Sequence, residues 1–113
     1  MDEHAADQLS SLGRVGRLLG DAGIAYWLYG GWAVDFYAGE ATRPHDDVDL
    51  ALRDGPAVWS PDAFAGDARE LNGVRSTVMG LETLTGMKRY ARGDPEDMAK
   101  DRADLEHLAR LSR

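Results

Sequence analysis

Apolar positions near the start of the chain recur at helical spacing. Leu9, Leu12, Val15, Leu18 and Leu19 share one side of such a repeat and Gly23 supplies a stop, so an amphipathic helix ending near Ala22 is expected. The period then changes. "IAYWLYG" is a short run rich in aromatic residues, which predicts a strand over 24–29 halted by Gly30 and Gly31. Trp32 to Tyr37 return to a helical pattern that Gly39 closes, and "VDLAL" predicts a second strand within 47–53. "DGPAVWSPD", with a proline on each side of Trp59, reads as irregular. "ARELNGVRSTVM" places Asn72-Gly73 between two short runs, a hairpin signal over 68–79. A helix from Leu81 to Ala91 is ended by Gly93, and Asp94-Pro95 then supplies an N-cap followed by proline at the first helical position of a last helix reaching about Leu111.

These elements predict an α/β fold, a small mixed sheet from 24–29, 47–53 and the hairpin, flanked by helices, in one domain spanning 1–113. There is no internal repeat and no low-complexity segment.

Charge narrows the set of ligands. The net charge of -7 argues against a nucleic-acid surface, which needs a basic patch to release counterions. A small anionic ligand compensated by a metal remains open. No apolar run reaches membrane-spanning length, the acidic "MDEHAADQ" start is unlike a secretory leader, and with no cysteine a thiolate metal site is excluded; a cytoplasmic setting is expected.

Asp47 and Asp49 interrupt the second apolar strand. Residues two apart share a face, so the two carboxylates should project together while Val48, Leu50 and Leu52 point into the core. Held within about 7 Å, they repel unless a cation lies between them, and paired hard oxygens suit Mg²⁺, which completes its shell with water and substrate phosphates. The alternative is a solvated turn, or pairing with Arg43 or Arg53. Gly30-Gly31, at a strand end and a helix start, offers backbone N–H groups to a phosphate. Strand, Gly-Gly, helix, then Asp-x-Asp on a second strand is a more specific order than either motif alone.

Over "YGGWAVDFYAGEATRPHDDVDLAL" the chain resembles the nucleotidyltransferase superfamily, on the side of the aminoglycoside and lincosamide nucleotidyltransferases, from Gly30, Gly31, Trp32 and Asp35 through Thr42, Arg43 and His45 to Asp47 and Asp49. "DPEDMAKDRADLEHL" is similar to the closing helix of such proteins. The resemblance implies transfer of a nucleoside monophosphate from ATP or another nucleoside triphosphate to a hydroxyl of a small molecule. Mg²⁺ would sit on Asp47 and Asp49, the nucleotide on Gly30, Gly31, Arg43 and Lys88, and the chemistry on Asp47, Asp49 and His45.

Each of the other candidates has a structural alternative. His45 is either a phosphate contact or acid–base group, or a turn histidine bonded to backbone. Lys88 and Lys100, the only lysines, either reach a triphosphate or decorate a solvated helix face. Tyr26, Trp27, Tyr29, Trp32, Phe36 and Tyr37 either stack on a base or fill the core, the latter being the expectation in a small domain.

One departure from the family stands out. Its third carboxylate, on a later strand, has no counterpart, because "RDGP" runs straight into "AVWSPDAFAGDAREL". Asp62, Asp67 and Glu70 are the available substitutes, each expected to be a solvated loop or hairpin carboxylate. Three functions therefore stay open: a shortened nucleotidyltransferase, a biosynthetic enzyme using the same pocket for acid–base chemistry without nucleotide, or an inert binding module. Loss of the neighbouring strand also predicts a homodimer that covers the exposed edge of 48–53.

Overall fold

The computed structural model describes residues 2–52, 61–89 and 94–111. The irregular segment expected around Trp59, the alternative ion pair through Arg53 and the helix stop at Ala91–Gly93 lie outside the described residues.

Helix α1, Glu3–Asp21, starts where the Asp2 carboxylate accepts the Ala5 N–H at 2.7 Å. Ala22 caps its end, and Gly23 takes the left-handed conformation (φ 74°) that turns the chain out. Only the first half of its apolar face meets the core. Ala5, Leu9 and Leu12 are buried, whereas Val15 and Leu18, expected on the same face, are exposed. The helix outruns the sheet there: Gly16 passes so close to the Tyr26 hydroxyl that a Cβ would collide with it, and nothing beyond covers Leu18 among the described residues.

Strand β1, Tyr26–Tyr29, leads without a loop into helix α2, Gly30–Ala38, which Gly39 closes at φ 80°. Strand β2, Asp49–Leu52, pairs antiparallel with β1, Tyr29 opposite Asp49 and Tyr26 opposite Leu52. Two residues of the expected strand fall away at its start, so Asp47 lies in the approach to β2. Leu52, expected inside, is 40% exposed, while Ala51 is buried on the face that carries Asp49, against Trp27, Ala63 and Met79. Val48 and Leu50 pack on the main core as expected.

A short 3-10 turn, Pro61–Phe64, precedes the hairpin of β3, Ala68–Leu71, and β4, Val74–Thr77. Asn72 and Gly73 both have positive φ, which matches the right-handed twist of the two strands they join. Instead of one mixed sheet there are two antiparallel pairs that meet at a single parallel bridge, Leu28 with Val78, where Met79 N–H donates to the Leu28 carbonyl at 2.8 Å. Further pairing is blocked by backbone crossing. Residues 62–66 lie directly on 78–80, so close that a Cβ on Gly66 would strike the Val78 carbonyl and one on Gly80 the Asp62 carbonyl.

Helices α3, Leu81–Arg89, and α4, Pro95–Leu111, complete the chain. The Asp94 carboxylate accepts the Glu96 N–H at 2.9 Å, with Pro95 at the first helical position as expected. The core unites Leu28, Trp32, Val34, Phe36, Leu84 and Leu108. Burial of Trp32 and Phe36 agrees with their expected core role. No described helix is long and apolar enough to cross a membrane.

Asp62 acts as a cap. Its Oδ2 accepts the Thr83 N–H at 2.7 Å and the Thr83 hydroxyl at 2.9 Å, satisfying donors in the first turn of α3. Asp62→Ala should therefore lower stability by ~1 kcal/mol in denaturant titration while leaving ligand binding at the Gly30–Asp49 region unchanged.

Candidate functional site

The turn from β1 into α2 brings backbone very close to side chains from residues 43–49. Gly30 has φ 76°, and the place a Cβ would take is filled by the Asp49 carboxylate. At Gly31 that place is filled by the His45 ring and by the Arg43 guanidinium 3.0 Å away. Two glycines are thus required by crowding, and the first also by its backbone conformation.

Beneath them lies a buried polar chain. Asp35, fully buried on α2, accepts the Thr42 N–H at 3.1 Å and the Thr42 hydroxyl through Oδ1, and bonds His45 Nε2 through Oδ2. His45 Nδ1 lies 3.0 Å from Arg43 Nη1. A guanidinium can only donate, so Nδ1 accepts, Nε2 carries the hydrogen and donates it to Asp35. The His45 carbonyl accepts from Gln8 Nε2 at 2.9 Å, and Gln8 Oε1 accepts from Trp32 Nε1 at 3.2 Å, which ties α1 to the same turn.

Arg43 reaches across to α4. Its Nε and Nη2 donate to the two oxygens of Asp104 at 3.1 and 2.7 Å, and Nη1 donates to the Pro44 carbonyl at 3.1 Å. Lys88 Nζ lies 2.8 Å from Asp104 and 3.4 Å from Asp101. Burial alone would push the Asp104 carboxyl up, but the hydrogen bonds and charges of Arg43 and Lys88 outweigh it and hold Asp104 below the usual carboxylate range.

Gly30, Gly31, Arg43, His45, Asp47, Asp49 and Lys88, assigned from the resemblance to nucleotide, metal or chemistry, line one cavity of about 430 Å³. Lys88 is therefore not on a solvated helix face; its side chain is 10% exposed. Lys100 also lines the cavity and bonds the exposed Asp46 at 3.0 Å. Tyr29 sits beside the acidic pair, its phenol pushed up by burial, then by Asp49 and then by Asp47. Asp47 is exposed and Asp49 half-buried, so the pair can offer oxygens to a cation entering from the cavity. Among the described residues no three His, Asp or Glu side chains converge on one point, and the carboxylates that could hold a cation here are Asp47 and Asp49, both on the cavity wall. Such a set fits Mg²⁺, whose remaining positions belong to water and phosphate.

The chain's relatives can now be considered. Residues 11–59, which hold the glycine pair and both aspartates, match the family model for aminoglycoside-2''-adenylyltransferase. Among solved structures, the crystal structure of ANT(2'')-Ia in complex with adenylyl-2''-tobramycin superimposes with a TM-score of 0.74 at 16% identity, over 95% of this chain and 90% of that one. The fold is that of a nucleotidyltransferase. The segment match and the superposition together make the chain similar to aminoglycoside nucleotidyltransferases. No curated protein matches the chain.

The expected substitutes for the third carboxylate are elsewhere in this nucleotidyltransferase fold. Asp62 caps α3, and Asp67 and Glu70 are exposed on and beside the hairpin, Glu70 opposite Arg75. The stretch 53–60, where the sequence places that departure, lies outside the described residues. Sequence reasoning overlooked Asp97, Asp101 and Asp104, which α4 directs inward. A signal was available: Asp101, Asp104 and Leu108 occupy the spacing of a helix's buried face, so the two aspartates stand where apolar residues are usual.

Asp104 should couple stability to acid. Its pKa is lowered in the folded chain, so the unfolded chain takes up the proton more readily as pH falls. The contribution of Asp104 is complete at neutral pH and is lost below about pH 4. Asp104→Asn should cost about 3 kcal/mol at pH 7, because it strands Arg43 and Lys88 without their shared partner, and should flatten the acid limb of a melting-temperature series from pH 3 to 7.

Proposed function

We propose that the chain transfers a nucleoside monophosphate from a Mg²⁺-bound nucleoside triphosphate to a hydroxyl of a small molecule, with aminoglycosides and lincosamides as the acceptor class. The observation that carries this is one cavity in which the Asp47–Asp49 pair, the Gly30–Gly31 elbow and the cations Arg43 and Lys88 all meet. The adenylylated aminoglycoside bound to the structural neighbour supports the acceptor class.

Asp47 and Asp49 would hold the metal, which supplies charge neutralisation at the triphosphate. The N–H groups in the first turn of α2 would face phosphate oxygens, where the helix dipole favours negative charge. Lys88, anchored at Asp104 on the same cavity, would present its ammonium to those phosphates. Arg43 is a stiffer partner: Nε, both Nη1 hydrogens and one Nη2 hydrogen are engaged, and the other Nη2 hydrogen lies beside Gly31. His45, with both ring nitrogens engaged, holds Arg43 in place; this positioning role replaces the acid–base role expected for it. The cavity wall carries Asp46, Asp47, Asp49, Asp97 and Asp101 against Arg43, Lys88 and Lys100, an acidic excess that repels a bare triphosphate.

Binding should therefore require the metal. Calorimetric titration with ATP should show heat only when Mg²⁺ is present, and Asp47→Asn or Asp49→Asn should weaken it by at least about tenfold. Equal binding of ATP by both variants, or by the wild type in EDTA, would sink the assignment.

We also propose a homodimer. In its sheet β2 pairs only with β1, so among the described residues Asp49–Leu52 forms an edge that ends at the exposed Leu52. Pairing of two such edges about a two-fold axis would cover both. Light scattering at micromolar concentration should give twice the chain mass of 12.3 kDa; a monomer mass excludes the dimer.

A further inference from the structure

A nucleoside triphosphate has two unlike ends, a charged chain of phosphates and a flat base whose face is apolar. Asp47, Asp49, Arg43 and Lys88 suit the first. The base needs an apolar surface within the same cavity, and the lining narrows the choice: apart from glycines and polar or charged side chains, it consists of Tyr29, Leu84 and Met87.

These three differ in what they can offer. Leu84 is 0% exposed and belongs to the main core, so it backs the cavity without presenting surface to a ligand. Tyr29 is paired opposite Asp49 across β1 and β2 and packs on both core clusters, which sets its ring beside the acidic pair, at the phosphate end. Met87 is 36% exposed and comes from α3. Leu84, Met87 and Lys88 are spaced three and four residues apart, so they share one side of that helix and all three border the cavity. Lys88 is drawn onto Asp104 at 2.8 Å and is 10% exposed, which leaves the thioether of Met87 as the accessible apolar surface on this wall.

A single exposed methionine is ordinary on a protein surface, and Met98, 40% exposed and outside the cavity lining, is such a case. Met87 differs in its surroundings, since it is apolar where Asp97, Lys100 and Asp101 are its fellow lining residues. A soft, unbranched thioether makes favourable contacts with aromatic rings and adapts to their position. An aminoglycoside is covered with hydroxyl and ammonium groups that suit the acidic walls, so the substrate part with a flat apolar face is the base.

We infer that Met87 is the shelf on which the nucleobase rests, so that α3 supplies the base contact and, one residue later, the phosphate contact of Lys88. This rests on the nucleotidyltransferase reading above.

Calorimetry on the whole chain tests it by comparing MgATP with Mg²⁺-bound ribose 5-triphosphate, which lacks only the base. Met87→Ala should weaken MgATP binding by about three- to tenfold and change that of the ribose 5-triphosphate by less than about twofold. Met87→Leu, which keeps an apolar surface, should recover most of the affinity, and Met98→Ala should bind both probes as the wild type does. Equal losses for the two probes in Met87→Ala would mean that the side chain acts through Lys88 or the packing of α3, and no loss for either would place the base elsewhere; each result overturns the inference. A wild type that binds both probes equally well also overturns it, while sparing the metal and phosphate site. Failure of the wild type to bind either probe removes the nucleotidyltransferase reading, and the inference with it. Circular dichroism confirms that folded variants are being compared.

Discussion

Asp104 carries no exposed surface and stands on the inner face of α4, where a carboxylate is stable only as an ion with donors around it. It receives three: two from the fork of Arg43 and one from Lys88. The cations come from the turn after α2 and from the end of α3. One buried charge therefore ties the N-terminal half of the chain to its closing helices, beside the core that Leu84 and Leu108 share with Trp32 and Phe36. It also neutralises two side chains that would otherwise be long, mobile and repelled from each other. Replacing the trio by apolar residues could pack as well, but the cavity would then have no cationic wall.

The opposite wall depends on the absence of side chains. Asp49 and His45 occupy the very spaces that Cβ atoms of residues 30 and 31 would need, so the acidic pair and the histidine can sit against the start of α2 only because glycines are there. Asp35 secures that arrangement from below, taking Thr42 and His45 on one carboxylate. Anchor and elbow are linked through Arg43, which touches His45 at one end and Asp104 at the other. The functional groups are thus held by second partners rather than by loop conformation alone, the condition under which a site keeps its geometry.

Much of this was legible in the sequence where it concerned backbone. Helix ends at Gly23, Gly39 and Asp94-Pro95, and the Asn72-Gly73 hairpin, are dictated by local conformational cost. The joint between the two strand pairs was not, since it depends on Gly66 and Gly80 letting one segment lie on another, a contact between residues remote in sequence. Val15, Leu18 and Leu52 follow the apolar pattern but outrun the body that would cover them. Among the site residues, the glycine pair and the Asp-x-Asp could be recognised because their spacing carries chemistry. Asp101 and Asp104 were missed because an aspartate in a helix full of charges looks solvated, although with Leu108 they keep the spacing of a buried face.

The cavity is divided between two halves of the chain, and each supplies groups that the other lacks. The segment matched by the family model, 11–59, contains the glycine elbow, Arg43, His45 and the two aspartates, but neither Lys88 nor any residue of α4. Alone it would present an acidic pair with one cation whose own anchor, Asp104, is missing. The C-terminal helices supply that anchor, a second cation and further carboxylates at the one place where all are needed. Because those groups arrive on a helix face, their positions relative to β2 are set by α4 packing through Leu108 on the main core and by the Asp104 ion pairs.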